Sequence, residues 1–313
     1  MKSLITGVAG FIGSHLAEKL LAAGHEVVGV DNFLDNYPRR FKERNLAGFI
    51  DNSKFTFIES NLLELDMPAQ LRGLAYVFHL AGQPGVRSSW GKEFSRYTEN
   101  NIAATQLLLE AAKQSKLTKF VYASTSSVYG DTDDLPMRED GGTRPVSPYG
   151  ATKLAAEHLC HLYCKAFGVP TVALRFFTVY GPRQRPDMFF HILMRALLRG
   201  DEVPLYDDGA QTRDFTYCAD IVDGIVGAAL YPGRGEIFNL GGGSEVSLLD
   251  AIQLVEKVSG RKAKLMRFNR QLGDVRHTSA RLDQARSKLG YSPKVGLEQG
   301  LAAEWQWVCS LKD

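Results

Sequence analysis

A glycine-rich turn close to the N-terminus constrains the fold of this chain more than any other feature. Gly7, Gly10 and Gly13 follow a short apolar run that ends at Thr6, and an amphipathic helical pattern continues over residues 14–21. Glycine tolerates positive φ in such a turn and leaves room for a pyrophosphate against the backbone. The N–H groups at the start of the helix then favour negative charge. The segment therefore predicts the strand, turn and helix of a dinucleotide-binding fold.

A carboxylate at the end of the next strand fits the same fold. Asp31 follows the apolar run His25–Val30 and lies 18 residues after Gly13. An acidic side chain at this distance accepts hydrogen bonds from the ribose hydroxyls of the adenosine. The next residue is Asn32, where an arginine would bind a 2′-phosphate. We therefore expect NAD rather than NADP.

The overall composition argues against several classes of partner. Lys plus Arg total 37 and Asp plus Glu total 35, so the sequence predicts no surface for nucleic acid or an anionic membrane. No apolar stretch approaches about 18 residues, and we expect neither a transmembrane helix nor a signal peptide. The cysteines lack the spacing of a metal site, which predicts free thiols, no metal and a cytoplasmic location. They are Cys160, Cys164, Cys218 and Cys309.

Apolar strands alternate with helical patterns through the first half of the chain. Such alternation is typical of βαβ units, which form a parallel sheet with helices on both faces. After residue 176 the rhythm ends, and short strands, Pro, Gly and charged loops follow. We predict strands at Phe55–Glu59, Tyr76–Leu80, Phe120–Ser124, Val172–Phe176 and Glu236–Leu240, and helices at Phe11–Ala23, Glu99–Gln114, Pro148–Phe167, Phe189–Arg199 and Leu248–Ser259.

The predicted fold class is α/β, a doubly wound parallel sheet of the Rossmann type with a second, smaller, mixed lobe. Residues 1–176 and 214–240 are assigned to the dinucleotide-binding domain. Residues 177–213 and 241–313 are assigned to a substrate lobe. This lobe is expected to close over the carboxyl ends of the strands, where such folds bind ligands.

Thr125, Tyr149 and Lys153 are the candidate catalytic residues. Tyr149 and Lys153 lie four residues apart in SPYGATK, so they share one face of a predicted helix. A phenol is a weak base at neutral pH, and lowering its pKa from about 10 towards 7 takes roughly 4 kcal/mol of preferential phenolate stabilisation. The lysine cation, the positive helix end and an oxidised nicotinamide are expected to supply it. Thr125 is predicted to hold the substrate oxygen as the proton moves.

Seven segments together resemble the extended short-chain dehydrogenase/reductase family. They are GVAGFIGSH, VDNF, HLAGQ, STSSVYG, SPYGATK, RFFTVYGP and DDGAQTRDFTY. Within this family the chain resembles the NAD-dependent nucleotide-sugar epimerases and dehydratases, from residue 1 to about 295. The resemblance implies a tightly bound NAD that is recycled. It also implies a homodimer, in which the helices at Glu99–Gln114 and Pro148–Phe167 would form a four-helix bundle.

The resemblance further implies a cofactor site. In this family the glycine turn and the strand-end carboxylate hold NAD, and an aromatic residue lies beside the nicotinamide ring. The family's acidic residue beside the adenine is here Asn61, whose carbonyl is able to pair with the adenine amino group. The implied cofactor-binding residues are Gly7, Gly10, Phe11, Ile12, Gly13, Asp31, Asn32, Asn61, Leu62, Leu80, Ala81, Gly82, Asn101, Ser124, Tyr149, Lys153 and Phe177.

The residues after Thr125 bear on the reaction type. Family dehydratases and decarboxylases usually carry an acid there, whereas this chain has Ser126 and Ser127. Eliminating water or assisting the loss of CO₂ needs a group that moves a proton at C5 or C6 of the sugar. Epimerisation requires only Tyr149 and the sugar's 4-hydroxyl as an acid–base pair. We therefore expect an isomerase.

The second lobe is expected to bind a nucleotide sugar, with UDP as the common case. Arg213 matches the family arginine that grips the diphosphate, with an ion pair to Asp214 or Asp220 as the alternative. The segments RFFTVYGPRQRPDM and GQPGVRSSW resemble the UDP-glucuronate 4-epimerases, and neutral hydroxyls would then face a sugar carboxylate. Arg185 could reach the carboxylate or the diphosphate, and Arg87 could form a surface ion pair instead. The expected substrate-binding residues are Arg87, Ser126, Ser127, Thr178, Arg185, Tyr206, Gln211, Arg213, Asp274 and Arg276.

The predicted function is NAD-dependent 4-epimerisation of UDP-glucuronate to UDP-galacturonate through a transient 4-keto intermediate. Epimerisation of UDP-glucose or UDP-N-acetylglucosamine is an alternative, as is dehydration or decarboxylation of a nucleotide sugar. A non-catalytic dinucleotide sensor is a more distant alternative, because a sensor would not need Tyr149 and Lys153.

Overall fold

A parallel sheet with helices on both faces lies at the centre of the structure, a computed structural model that describes residues 1–311. The strands are β1 (Lys2–Thr6), β2 (Glu26–Asp31), β3 (Phe55–Glu59), β4 (Tyr76–His79), β5 (Lys119–Thr125), β6 (Thr171–Phe176), β7 (Val179–Tyr180), β8 (Glu202–Tyr206), β9 (Thr212–Asp214), β10 (Thr216–Tyr217), β11 (Ile237–Leu240), β12 (Glu245–Ser247) and β13 (Lys264–Phe268). The α-helices are α1 (Phe11–Ala22), α2 (Arg39–Leu46), α3 (Met67–Gln70), α4 (Phe94–Tyr97), α5 (Ala104–Ala112), α6 (Pro148–Phe167), α7 (Phe189–Arg199), α8 (Cys218–Leu230), α9 (Leu248–Ser259), α10 (Asp283–Leu289) and α11 (Leu297–Ser310).

The strand order in the central sheet is β11-β6-β5-β4-β1-β2-β3, and every pair is parallel. Apolar side chains of α1 and α8 pack on one face, with Leu16 and Ile225 fully buried. Those of α5 and α6 pack on the other face, with Leu108 and Ala156 fully buried. The carboxyl ends of all seven strands therefore meet at one edge. The predicted α/β, doubly wound fold class is confirmed.

A second hydrophobic core lies outside the sheet. Phe190, Leu193, Leu205, Val255 and Leu301 are among its buried residues, which come from α7, β8, α9 and α11. Three short strand pairs accompany it: β7 with β10 and β8 with β13 in parallel, and β9 with β12 antiparallel. This is the mixed architecture expected of a smaller lobe. The residue boundaries assigned to the two domains stay a prediction.

The helix predicted over 99–114 is wrong in its first turns. Residues Thr98–Ala103 form a π-helical segment between α4 and α5. The Asn101 carbonyl accepts the Gln83 N–H at 2.7 Å, and its amide donates to the Gln83 carbonyl at 3.1 Å and to Thr152 Oγ1 at 3.0 Å. A π-turn holds an extra residue, and such turns concentrate at functional sites. Here the wide turn ties α4 and α5 to the loop after β4.

The start of α6 is fixed by local sequence. Ser147 Oγ accepts a hydrogen bond from the Gly150 N–H at 3.1 Å, and Pro148 occupies the first helical position. Both features favour a helix start at this point. Tyr149 and Lys153 therefore lie in the first turns of α6, near the carboxyl ends of the strands.

Two further observations concern the whole described chain. Within residues 1–311, no helix has the length and apolar character needed to cross a membrane. The cysteines carry free thiols, buried at Cys160, Cys164 and Cys218 and exposed at Cys309.

His79, the last residue of β4, is a fully buried titratable group. Its ring nitrogens lie 2.8 Å from Thr6 Oγ1 and 2.9 Å from Thr105 Oγ1. Burial, together with the positive charge of Lys153, lowers the pKa of His79 to about 3. The imidazole is therefore neutral in the folded protein at neutral pH.

We expect His79 to make stability depend on pH. As pH falls below the unfolded pKa of 6.5, the unfolded chain takes up a proton that the folded protein binds only near pH 3, so the unfolding free energy decreases. The difference in unfolding free energy between wild type and His79→Gln should shrink by roughly 1.4 kcal/mol per pH unit over about pH 6 to 4. Urea unfolding across this range measures it, with the exposed His158→Gln as control. A difference independent of pH would contradict the prediction.

Candidate active site

A cavity opens at the carboxyl edge of the sheet, and its walls contain all predicted cofactor-binding residues except Phe177. These are Gly7, Gly10, Phe11, Ile12, Gly13, Asp31, Asn32, Asn61, Leu62, Leu80, Ala81, Gly82, Asn101, Ser124, Tyr149 and Lys153. The walls also include residues that the sequence did not single out: Val30, Leu34, Asn36, Tyr37, Lys42, Ser60, Gln83, Pro84, Asn100, Ala104, Ala123 and Phe176.

The glycine turn forms a bare backbone cradle in this cavity. Gly7 has a φ of +72°, and a Cβ there would lie 2.8 Å from the Ala81 nitrogen. A Cβ on Gly13 would collide with the Gly7 carbonyl. Helix α1 begins at Phe11 without a side-chain cap, so its first N–H groups remain available to a ligand. These features fit the pyrophosphate of a dinucleotide.

Asp31 is already bonded to its own surroundings. Oδ2 accepts the Ala9 N–H at 3.1 Å, and Oδ1 accepts the Phe33 N–H at 2.9 Å. Lys42, a residue of α2 that the sequence did not reveal, places its ammonium 3.3 Å from Oδ1. Both side chains are buried. A cation therefore does lie beside the expected ribose position, but it is paired with the Asp31 carboxylate, whose negative charge would repel a 2′-phosphate.

Two predicted cofactor contacts have surroundings that differ from the expectation. Phe177, which the family resemblance implied, is 1% exposed and packs in the core against the ring of Tyr129, while Phe176 lines the cavity. Successive side chains of an extended segment point to opposite faces. The Asn61 carbonyl, expected to pair with adenine, accepts the Leu63 N–H at 3.1 Å. It caps the short helix that follows, so only its remaining lone pair is available to a base.

The three candidate catalytic residues come together at the end of β5 and the start of α6. Thr125 donates to Ser127 Oγ at 3.3 Å and accepts the Ser127 N–H at 3.2 Å. Thr125 also hydrogen-bonds the phenol of Tyr149. The ring of Tyr149 meets that of Tyr97 edge to face, with 6.3 Å between the centroids. The Thr125 hydroxyl thus lies beside the phenol of Tyr149, and Tyr149 lines one end of the cavity.

Burial raises the pKa of Tyr149, opposite to the direction that the sequence predicted. The hydrogen bond to Thr125 and the positive charge of Arg185 lower the pKa, but burial outweighs them. The sequence assigned the lowering to Lys153 together with the helix end and an oxidised nicotinamide; within the structure the cation that acts on Tyr149 is Arg185. Forming the phenolate therefore needs further positive charge at this end of the cavity.

Lys153 is 5% exposed and lies over an aromatic ring. Its ammonium is 4.4 Å from the centroid of Tyr122. Burial lowers the pKa of Lys153 to about 8, and the nearby Glu157 carboxylate opposes this shift. The ammonium is therefore mostly protonated near neutral pH.

A buried ion pair supports the floor of the site. Arg175 Nη2 lies 2.6 Å from Glu157 Oε1, and each residue is 3% exposed. Ser124 donates to Glu157 Oε2 at 2.8 Å. The Arg175 guanidinium also lies 4.6 Å over the ring of Tyr129. This network links β5, β6 and α6 directly beneath the catalytic residues.

Three of the predicted substrate residues contact one another. Arg87 forms an ion pair with Asp274 at 2.7 Å, and its guanidinium lies 4.0 Å over the ring of Tyr206. The loop after β4 therefore touches the loop 269–278 and the end of β8. The surface ion pair considered for Arg87 is present, and it joins two residues expected at the substrate.

The remaining arginines of this region differ in their surroundings. Arg213 donates to the carbonyls of Thr212, Val275 and Arg276 at 2.7–3.1 Å. The acids considered as its partners accept hydrogen bonds from backbone N–H groups instead. Asp214 accepts those of Gly242 and Ala280, and Asp220 accepts those of Lys294 and Val295.

Arg276, a predicted second phosphate ligand, is paired at the surface. Its Nη2 lies 3.3 Å from Asp208 Oδ2, and the side chain is 45% exposed. Gln211 donates to the Tyr206 carbonyl at 3.0 Å. Its buried Oε1 has no hydrogen-bond partner within residues 1–311, so an acceptor remains for a ligand.

Of the residues expected at the sugar carboxylate, Arg185 lies in the cavity wall, whereas Ser126, Ser127 and Thr178 do not line the cavity. Arg185 lines the cavity and forms two 3.0 Å hydrogen bonds to Asp187. Ser126 and Ser127 form a short 3₁₀ turn after β5, and Thr178 follows β6. Among residues 1–311, the cavity walls carry one acidic side chain, Asp31, at the opposite end. Within the same residues no cluster of three or more His, Cys, Asp or Glu side chains is arranged for a metal ion.

Comparison with known proteins agrees with this geometry. The model of a family described as the NAD dependent epimerase/dehydratase family matches residues 3–241. The chain is 46% identical to the uncharacterized UDP-glucose epimerase YtcB of Bacillus subtilis (strain 168), over 99% of both chains. It is 38% identical to a UDP-glucuronate 4-epimerase of Thermodesulfobacterium geofontis (strain OPF15), over 97% of this chain and 95% of the relative.

A solved structure is also similar over the whole chain. The crystal structure of UDP-glucuronic acid 4-epimerase from Bacillus cereus, in complex with UDP-glucuronic acid and NAD, superposes with a TM-score of 0.97. Its sequence identity to this chain is 46%, and the match covers 100% of both chains.

We predict that Asp31→Asn weakens NAD binding and narrows the preference for NAD over NADP. The variant loses charged hydrogen bonds worth about 1.5–3 kcal/mol each, so NAD affinity should fall on the order of 10- to 100-fold. Lys42 would then face a 2′-phosphate without an opposing carboxylate, which favours NADP. Calorimetric titration of dinucleotide-free protein with both cofactors measures the change. Asp51→Asn, at an exposed position, is the control and should bind both cofactors as the wild type does. An unaltered ratio of NAD affinity to NADP affinity in Asp31→Asn would contradict the prediction.

Proposed function

Because the chain belongs to the NAD-dependent epimerase/dehydratase family, we propose that it is a 4-epimerase that interconverts UDP-glucuronate and UDP-galacturonate with NAD as its cofactor. One observation carries the proposal. Tyr149, with Thr125 beside its phenol, lies at the end of a cavity whose walls, within residues 1–311, carry no acid nearer than Asp31 at the adenosine end. A phenol and neutral hydroxyls suffice to move a proton at O4 but not to catalyse elimination.

The residues of the chain bind the reactants and move one proton. Tyr149 removes the proton from the 4-hydroxyl while Thr125 holds the same oxygen. Arg185 adds positive charge near the phenolate that must form. We assign the same role to Lys153 in its protonated state, one helical turn after Tyr149. NAD, when bound, would take the hydride from C4 and return the same hydride, so the net redox change is zero. After the 4-keto sugar has rotated to present its other face, Tyr149 gives its proton back to O4.

Control of the carboxylate distinguishes this reaction from decarboxylation. A 4-keto uronate is a β-keto acid, which loses CO₂ when the carboxylate bond aligns with the carbonyl π system. We assign Ser126, Ser127 and Thr178 to hold the carboxylate away from that alignment through hydrogen bonds. Arg185, at the same end of the cavity, is assigned to the carboxylate rather than to the diphosphate, because its charge already reaches Tyr149. Arg213, held by the backbone carbonyls of loop 269–278, is assigned to the diphosphate.

We also propose a homodimer that associates through α5 and α6. Leu162 and Phe167 on α6 are 54% and 52% exposed. The Lys113 ammonium lies 4.1 Å over the ring of Phe167. Large apolar side chains that are exposed to solvent favour burial against another protein surface. Sedimentation of wild type and Leu162→Glu tests this assembly.

The free thiols support a reducing, cytoplasmic location.

Replacing the proposed base should abolish most of the turnover. Tyr149→Phe is expected to fold, to retain NAD and to lose at least about 10³-fold in kcat, because the phenol is the only proton acceptor assigned at O4. Steady-state rates with UDP-glucuronate measure the loss. Tyr231→Phe, which removes a hydroxyl bonded to Glu236 away from the cavity, serves as the control. Activity of Tyr149→Phe within tenfold of wild type would reject the assignment.

Substrate selectivity tests the carboxylate contacts. Ser127→Ala and Thr178→Ala each remove a donor to a charged group, so kcat/KM for UDP-glucuronate should fall on the order of 10- to 100-fold. Activity on UDP-glucose, which has no charge at that position, should change little, and some decarboxylated pentose product should appear. Chromatographic product analysis with both substrates decides the matter. Equal losses on the two substrates, or a wild type that prefers UDP-glucose, would favour a glucose-type epimerase.

A further inference from the structure

The loop 181–187 connects the catalytic end of the cavity to the second lobe. It begins three residues after Thr178 and carries Arg185. Its first residue, Gly181, has a φ of +131°, and a Cβ there would lie 2.7 Å from Cys218 Sγ. Only glycine adopts this conformation without strain. The direction in which the chain leaves β7 is therefore set at Gly181.

A glutamate of the C-terminal helix holds that glycine. Glu304, in α11, accepts the Gly181 N–H through Oε2 at 2.7 Å. Its side chain has no exposed surface, and Oε1 has no hydrogen-bond partner within residues 1–311. Burial raises the pKa of Glu304 well above its usual value, and the hydrogen bond from Gly181 opposes this shift. A fully buried carboxyl group with a single backbone contact is costly to a fold.

Helix α11 also contacts the residue that precedes Gly181. Gly300 leaves no space for a side chain, because a Cβ there would collide with the hydroxyl of Tyr180. The Tyr180 hydroxyl in turn lies 3.4 Å from the carbonyls of Gly296 and Leu297. The start of α11 is therefore packed directly against the end of β7.

The far side of the loop is tied to the same helix. The Gln184 N–H donates to the Gly181 carbonyl at 3.0 Å, and Gln184 Oε1 accepts the His191 N–H at 3.0 Å. The imidazole of His191 meets the indole of Trp307 in α11 edge to face, at 5.4 Å between centroids. The loop that carries Arg185 is thus braced by α11 at both ends.

We propose that Glu304 is a positioning residue of the active site: by fixing the Gly181 N–H it sets the path of loop 181–187 and so the placement of Thr178 and Arg185 at the sugar carboxylate. Glu304 acts through these two residues and does not itself contact substrate. The proposal rests on the proposed function, because it assigns the two residues to control of the keto acid. It makes the C-terminal helix part of the selectivity between epimerisation and decarboxylation.

Removal of the acceptor should change the product ratio. Glu304→Leu keeps the side-chain volume but leaves the Gly181 N–H unpaired, so kcat on UDP-glucuronate should fall on the order of tenfold and the decarboxylated fraction of product should rise several-fold. Bound NAD should be unchanged, because the dinucleotide cradle lies elsewhere. Glu304→Gln keeps a neutral acceptor for the Gly181 N–H and should restore both the rate and the product ratio to within threefold of wild type.

The control is Glu298→Gln, which removes an exposed ion pair to Lys257 from the same helix and should leave the product ratio unchanged. Glu304→Asp, which withdraws the carboxyl group by one methylene, provides a milder test if Glu304→Leu does not fold. A product ratio in Glu304→Leu and Glu304→Asp equal to that of wild type, or a Glu304→Gln variant as impaired as Glu304→Leu, would overturn the proposal. A wild type inactive on UDP-glucuronate would instead reject the proposed function. Crystal structures would then still test whether Glu304→Leu displaces Arg185.

Discussion

The cost of forming a phenolate in a buried position is the constraint on which the rest of the site depends. Burial raises the pKa of Tyr149, and each pKa unit corresponds to about 1.4 kcal/mol against the reactive state. The groups that offset this cost come from separate parts of the chain: Thr125 from the end of β5 and Arg185 from loop 181–187. No single element could place both of them beside one phenol. The parallel sheet does so because its strands end at a common edge.

Rigidity beneath this edge comes from the Glu157–Arg175 pair. Buried ion pairs contribute little net stability, since desolvation offsets their attraction, but their geometry is narrowly defined. The pair fixes Ser124 on β5 relative to α6, and Tyr129, under the guanidinium, donates to Asn239 Oδ1 of β11 at 2.6 Å. The relative positions of β5, β6, β11 and α6 are thereby fixed below the reacting atoms. Residues that touch no ligand thus determine how accurately the catalytic groups face one another.

The sequence predicted the sheet, the helix limits at α6, α7 and α9, and most of the cavity wall, because these follow from local patterns. Glycine spacing, apolar periodicity and strand-end positions are visible in a short window of residues. Lys42 could not be found in this way, since RRFKERN offers four similar cations and only tertiary packing buries one against Asp31. The roles of Arg185 and Glu304 are also set by contacts between residues far apart in the chain. Which of Phe176 and Phe177 faces the cavity depends on how side chains alternate along the end of β6. The sequence does not reveal this alternation, because the neighbouring residues are apolar on both faces.

The π-helical segment between α4 and α5 changes the directions in which the side chains of these two helices point. Each residue turns an α-helix by about 100°, so the additional residue in Thr98–Ala103 rotates α4 relative to α5 by nearly a third of a turn. Tyr97 is thereby directed at Tyr149 and the loop after β4 while Leu108 still faces the sheet. A regular helix of the same sequence could satisfy one of these contacts but not both. Deleting one residue here would make the helix regular, and Tyr97 could then no longer contact Tyr149 while Leu108 stays in the hydrophobic core.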